Sequence, residues 1–316
     1  MRFFSRGTLF SKAITPSVVF LALACRVASD PTLLAELRNE SELRGFALVT
    51  ARGSDIAVIP FGSKPRYFDA GPRQPQVFGK AGKDVLWSHQ TGFLTPREYG
   101  IETVMGDKVI RQRPLTSQFV PMALSESAGR LAFWGTMRSG DPIGGLYWAS
   151  FDFAHHGFVD QTGGNCDWSP DGGSLAYEKG GEIYVFEVER GMSRHLISGR
   201  DPVWSPDGAA IAYRGSDDSA LLVSVEGVKK AWALSGYKAL SAIRWSPDGR
   251  YVSFAVSTRP VIPLVGSYYR LLVCRVEDGR AAMVREFGAG AVGTGNYHWI
   301  ADYTRYCTGC QPGQEF

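Results

Sequence analysis

Trp-Ser-Pro-Asp-Gly occurs three times without variation, at Trp168–Gly172, Trp204–Gly208 and Trp245–Gly249. The copies begin 36 and 41 residues apart. Each is followed by a short apolar run that ends in an aromatic: SLAY at 174–177, AIAY at 210–213 and YVSF at 251–254. A repeat of this length with one tight turn and several short strands constrains the fold to an array of small sheets.

The chemistry of the motif is that of a turn. Ser, Pro, Asp and Gly in that order suit positions i to i+3 of a type I turn. Pro170, Pro206 and Pro247 preset φ near −65°. Asp171, Asp207 and Asp248 can accept backbone hydrogen bonds around the turn, and Gly172, Gly208 and Gly249 supply the positive φ that closes a tight hairpin. Trp168, Trp204 and Trp245 then end an innermost strand and are expected to pack between neighbouring repeats.

The register exposes weaker copies. Val77-Phe78 through Val85-Leu86-Trp87 aligns without gaps on Val203-Trp204 through Ile211-Ala212-Tyr213, Leu124 through Leu131-Ala132-Phe133 fits the same frame, and Trp299 anchors a last partial copy. One repeat reads out in full as four strands, at 165–168, 174–178, 182–189 and 193–197. The first repeat has strands at 45–51, 55–61 and 65–69 but lacks a leading one, while the C-terminal strand around Tyr297–Asp302 lacks followers. Joining the two completes the set and removes exposed edges. The predicted fold is all-β, a six-bladed β-propeller of four-stranded antiparallel blades, closed by pairing of the C-terminal strand with the first blade.

Charge and leader bound the setting. The formal charge is +3, and Arg2, Arg6 and Lys12 account for all of it, so the rest of the chain is neutral. A neutral body lacks the electrostatic footprint of a nucleic-acid binder. Residues 1–24 read as a signal peptide: a basic start, an apolar stretch from Ala13 to Ala24 too short to span a bilayer, and a small-residue cleavage site. Cys25 follows at once and is a lipidation candidate of the bacterial lipoprotein kind; the alternative is an incidental cysteine. Residues 25–43 are expected as a linker or short helix, and 44–316 as the propeller. Membrane contact is expected only through a lipid on Cys25, and the chain is expected to be a monomer.

The three verbatim motifs, each followed by a short strand, resemble the TolB-like propeller family, over roughly residues 44–305. The same repeat occurs in the propeller of prolyl-oligopeptidase-type peptidases. The resemblance implies a propeller in the bacterial cell envelope. The α/β domain that precedes the propeller in TolB has no counterpart here, and neither has the Gly-x-Ser-x-Gly elbow of the peptidases.

Function is expected away from the motif. The loops between second and third strands would share the opposite face, and three of them are long: 88–99, 135–145 and 257–268. Arg97, Arg138, Arg259 and Tyr268 are their candidate partner-binding anchors, since Arg and Tyr are enriched at interface hot spots. The bland reading is that long loops simply tolerate insertion. Asn165, Asp167, Arg200, Asp201, Arg244 and His298 flank the channel and are candidates for a polar site there. Cys307 and Cys310 form a C-x-x-C, read as a local disulfide, with unpaired thiols next and zinc binding last, because no second pair of matching spacing exists. Cys166 and Cys274 fall in predicted strands and read as buried thiols. His155 and His156 would point to opposite faces of a strand, which disfavours chelation.

Two functions follow from these readings. The first is a non-catalytic exported propeller that binds a protein or peptide of the cell envelope through its loop-rich face, with no cofactor and no metal. The alternative is a periplasmic enzyme, a hydrolase or lyase, acting on a saccharide or lactone at the channel mouth.

Overall fold

The structure, a computed structural model, describes residues 46–52, 55–61, 66–69, 73–78, 84–89, 98–103, 109–112, 119–137, 140, 142–216, 219–224, 231–238, 241–258, 268–277, 280–284 and 297–301. Cys25, Cys307, Cys310, Arg97, Arg138 and Arg259 lie outside these, as does the expected leader and linker. Among the described residues every regular element is a strand.

The strands group in chain order. β1 (Phe46–Arg52), β2 (Asp55–Pro60) and β3 (Arg66–Asp69) form one antiparallel group, and β4 (Arg73–Phe78), β5 (Asp84–His89), β6 (Glu98–Thr103) and β7 (Val109–Gln112) the next. Then come β8 (Phe119–Ser125), β9 (Arg130–Gly135), β10 (Leu146–Ser150) and β11 (His156–Asp160). The two most regular groups are β12 (Cys166–Trp168), β13 (Ser174–Lys179), β14 (Glu182–Glu187) and β15 (Met192–Ser198), followed by β16 (Arg200–Trp204), β17 (Ala210–Arg214), β18 (Ser219–Ser224) and β19 (Ala231–Lys238). The last group is β20 (Ser241–Trp245), β21 (Tyr251–Thr258), β22 (Tyr268–Arg275) and β23 (Ala281–Val284). β24 (Tyr297–Ala301) leaves its sequence neighbours and pairs antiparallel with β1, so the first group also becomes four-stranded. The pairing expected between the C-terminal strand and the first group is therefore present.

A four-stranded sheet of this size cannot bury its own two faces, so each leans on the next. The leading strands touch in succession: β4 on β8, β8 on β12, β12 on β16, β16 on β20 and β20 on β24. The central alanines of β9 and β13 each receive the tryptophan that follows. Trp168 packs with Ala132 of the preceding sheet, and Trp204 with Ala176. Trp168 is fully buried and Trp204 nearly so. Trp245 donates its indole N–H to the Val203 carbonyl at 3.0 Å, which ties its sheet to the one before.

The three repeated turns are built alike. Ser169, Ser205 and Ser246 each donate a hydroxyl to the aspartate two residues on, at 2.5 Å. The same hydroxyls accept the backbone N–H of Ser174, Ala210 and Tyr251, each at 2.9 Å. The aspartates also accept the N–H of Gly173, Ala209 and Arg250. Gly172, Gly208 and Gly249 sit at φ of +69°, +74° and +72°.

The turns also interlock from sheet to sheet. Gly208 lies against the ring of Pro170 and Gly249 against that of Pro206: a Cβ would stand 3.5 and 3.8 Å from the two proline Cδ atoms. Gly172 instead meets the degenerate turn of the sheet before it, where a Cβ would overlap Ala128 and Ser125. Ser127 donates to the Pro170 carbonyl at 2.6 Å and Arg130 donates to that of Gly172.

Two predictions follow from the turns. Gly208→Ala and Gly249→Ala meet only the left-handed backbone penalty, about 1 kcal/mol. Gly172→Ala adds the overlap with Ala128, so urea denaturation should place it clearly below both. The Asp171 and Asp207 carboxyls are held below their usual value, chiefly by the Ser169 and Ser205 hydroxyls. A depressed folded value means stability that is complete above the ordinary carboxylate range, about pH 4, and is lost as pH falls through the folded value. Asp171→Asn with Asp207→Asn should flatten the acid limb of the thermal-midpoint profile; an unchanged slope would refute this.

Candidate functional site

Antiparallel pairing sends the opposite ends of these strands to the other rim. There the start of β12, the end of β13, the start of β16 and the end of β17 come together. The leading strand β16 carries a register shift between Arg200 and Val203. The same irregularity interrupts β4 between Pro75 and Val77, β8 between Pro121 and Val77's counterpart Ala123, and β20 between Ser241 and Arg244. A bulge re-aims the side chains around it, and proline, which donates no ladder bond, is tolerated there.

Asp201 occupies the β16 bulge at φ +52°, left-handed for a residue with a Cβ. Asp tolerates this region better than most residues, and its bonds hold it there. Oδ1 accepts from the Asn165 amide at 2.5 Å, and Oδ2 pairs with the Arg214 guanidinium at 3.0 Å. Both members of the ion pair are largely shielded, Arg214 at 18% and Asp201 at 15% side-chain exposure. The Asp201 N–H points to Glu178 Oε2 at 3.4 Å, and Arg200 Nε stands 3.9 Å from Glu178 Oε1. Five polar side chains from two sheets thus form one network.

A second network sits one junction earlier. Asp160, at the end of β11, accepts from Lys179 Nζ at 2.8 Å, from the Thr162 N–H at 2.8 Å and from the Tyr177 hydroxyl at 3.4 Å. Burial pushes the Asp160 carboxyl up, but the Lys179 and Thr162 bonds outweigh it, and it lies below its usual value. The bond to Asp160 raises the Lys179 ammonium in turn, and burial raises the Tyr177 phenol. On the next strands Glu182 Oε2 lies 2.7 Å from His195 Nε2 and accepts from Ser198, and the His195 bond lowers its carboxyl.

The candidates from the sequence are distributed over several junctions. Asn165 and Asp201 meet directly, and Arg200 joins them through Glu178. Asp167 instead accepts the Trp204 backbone N–H at 2.7 Å, which braces one sheet on the next. Arg244 donates Nε to the Tyr297 carbonyl at 3.1 Å and Nη1 to that of Ile243 at 2.8 Å, so it braces β20 on β24. His298 is half-buried on β24, opposite Val49. Tyr268 opens β22 opposite Thr258. Cys166 and Cys274 are in no disulfide, Cys274 is fully buried, and burial drives the Cys166 thiol far up. Glu178, Arg214, Asp160 and Lys179 were not singled out from the sequence. Their partners lie 13 to 23 residues away, and a single charged residue at a strand end carries no mark of that.

The Asp160, Asp201 and Glu182 carboxylates each have donors already in place. Groups engaged in this way position backbone and neighbours; they are poorly arranged to take a substrate proton. These networks lie at the rim where second strands end and third strands begin.

No family profile and no curated protein matches the sequence. Solved structures do match in shape. TolB from Acinetobacter baumannii superimposes with a TM-score of 0.55 at 16% identity, over 81% of this chain and 66% of that one. The chain therefore spans just under two thirds of that protein's length. A protein described as TolB from Agrobacterium tumefaciens gives 0.49 at 15% identity, over 81% of this chain and 96% of that one. An oligogalacturonate lyase in complex with manganese gives 0.44 at 12% identity, over 73% and 74%. The likeness to the Acinetobacter protein shows the fold: an all-β, TolB-like propeller of antiparallel four-stranded sheets.

Removing one side of the Asp201–Arg214 pair strands the other. Arg214→Met should cost about 3 kcal/mol in urea denaturation. Asp201→Gly relieves the left-handed backbone, and combined with Arg214→Met it should recover most of that loss. A double variant as unstable as the sum of the singles would show the pair to be uncoupled.

Proposed function

We propose that this chain is an exported, non-catalytic propeller that binds a protein or peptide partner of the cell envelope through the rim opposite its Trp-Ser-Pro-Asp-Gly turns. In this reading the six sheets form a ring of six blades, and β24 completes the first. The single observation that carries it is the asymmetry of the rims. On one, the turns consume their own polar groups: hydroxyl, carboxylate and backbone N–H bond one another in all three verbatim copies. On the other, strand ends are braced by ion pairs and the connecting loops vary in length. Variable loops on a rigid frame are the usual place for recognition.

The leader read from residues 1–24 supports export of the mature chain, and Cys25 is the residue a lipid would take. The TolB-like fold is compatible with this setting, but folds of one kind host many functions, so the rim carries the proposal. Arg97, Arg138, Arg259 and Tyr268 are its contact residues, and Cys307 with Cys310 form a local disulfide near the C-terminal end.

The test is a crosslinking pull-down from membranes with the full chain. An envelope protein should be retained, and changing Arg97, Arg138 and Arg259 together to Ala should reduce capture about tenfold or more. Ser127→Ala, on the turn rim, should leave capture unchanged. Retention of no envelope protein, or equal capture by the triple variant, overturns the reading. Turnover of an oligosaccharide or lactone by the purified protein would put the enzymatic reading in its place. Mass spectrometry of the mature N-terminus should find an acylated Cys25.

A further inference from the structure

The central residue of the second strand is alanine in three successive sheets: Ala132 in Leu-Ala-Phe, Ala176 in Leu-Ala-Tyr and Ala212 in Ile-Ala-Tyr. In the last sheet the same position is Ser253, in Val-Ser-Phe. Its successor in sequence is the single strand β24, which has no followers of its own and completes its sheet with β1. Ser253 is fully buried, as are Tyr297 and, to within 2%, Trp299.

The hydroxyl of Ser253 is the centre of a closed set of bonds. It lies 3.0 Å from the Tyr297 hydroxyl, accepts the Trp299 indole N–H at 2.8 Å and reaches the Arg244 carbonyl at 3.3 Å. The preceding junction offers a comparison. There Trp245 donates straight to the Val203 carbonyl, and the residue two positions before it is Ile243, with no polar atom on its side chain. At the β24 junction the serine stands between indole and carbonyl, and a tyrosine replaces the isoleucine to bond it. Arg244, donating to the Tyr297 carbonyl, closes the set from the backbone side. Phe61 stacks on the Trp299 ring at 4.9 Å from the first sheet, so β24 is gripped from both neighbours.

We infer that Ser253 is a register device that makes this junction specific for β24. An apolar pocket accepts any aromatic of the right size. A buried hydroxyl that needs both a tyrosine hydroxyl and an indole N–H accepts one strand in one register, because any slip leaves polar groups buried and unpaired. Such selectivity matters here more than at the other junctions. Those are spanned by connections of one to six residues, whereas β24 follows β23 only after twelve, so the connection alone fixes its seating least and the leading strand of a second copy can compete for the place. The inference rests on the observed pairing of β24 with β1 and is independent of any envelope partner.

The test is a double-mutant cycle on the full chain, read by hydrogen exchange at residues 297–301 with β12–β14 as internal reference. Tyr297→Phe removes one hydroxyl and keeps the ring, and should raise the opening of β24 about tenfold with little change at β12–β14. Ser253→Ala should loosen β24 at least as much. The two together should leave β24 no looser than Ser253→Ala alone, because the pair then matches the apolar kind of junction and the Trp299 indole can turn to the Arg244 carbonyl. Multiplying effects, or protection lost equally over β12–β14, would overturn the inference. Should Ser253→Ala fail to fold, Tyr297→Phe decides alone: selective opening of β24 supports the device, while no change or uniform loss refutes it.

Discussion

The packing of a tryptophan from one sheet against an alanine of the sheet before it is the contact on which the rest of this structure depends. A sheet of four short strands exposes two faces and has no core of its own. Trp168 on Ala132 and Trp204 on Ala176 bury those faces pairwise, with a contribution of about 3 kcal/mol each by the usual cost of deleting a buried aromatic. The large residue needs the small one opposite it, so Trp168 and Ala176, eight residues later and packed with Trp204 of the next sheet, form one repeating unit. The turn between them holds both in register through the serine hydroxyl, which bonds across the hairpin and to the aspartate at once.

This arrangement divides the molecule by duty. Proline and glycine of successive turns nest on each other, and that rim is filled with its own contacts. The opposite rim has no such repeat. Its charges are matched one by one, Asp160 with Lys179 and Asp201 with Arg214, in pairs that differ from junction to junction. Uniform chemistry on one rim and individual chemistry on the other is what a scaffold with a recognition surface would show. The β16 bulge belongs to the second kind: it brings Asp201 into a left-handed backbone where Asn165, from the sheet before, can reach it.

The β24 junction follows the general rule and modifies it. Trp299 plays the part of the other tryptophans, but it meets a serine instead of an alanine. Contacts between consecutive repeats are specified by the short connection itself. β24 follows β23 only after twelve residues and has less such help, and a directional polar contact adds specificity.

Much of this could be read from residues alone. The spacing of Trp168, Trp204 and Trp245, with the alternation after each, determined strand number, sheet size and turn geometry, because these depend on contacts within a few residues. The unpaired strands at the two ends of the pattern pointed to the meeting of β24 with β1. Side-chain partnerships across junctions are not legible there: nothing in the sequence marks that Asp167 and Arg244 bond neighbouring backbone, or that Arg214 and Lys179 find carboxylate partners. Local turn and strand chemistry is written in adjacent residues. Which charge meets which across two sheets depends on twist, bulge and packing distance, and only the tertiary structure decides that.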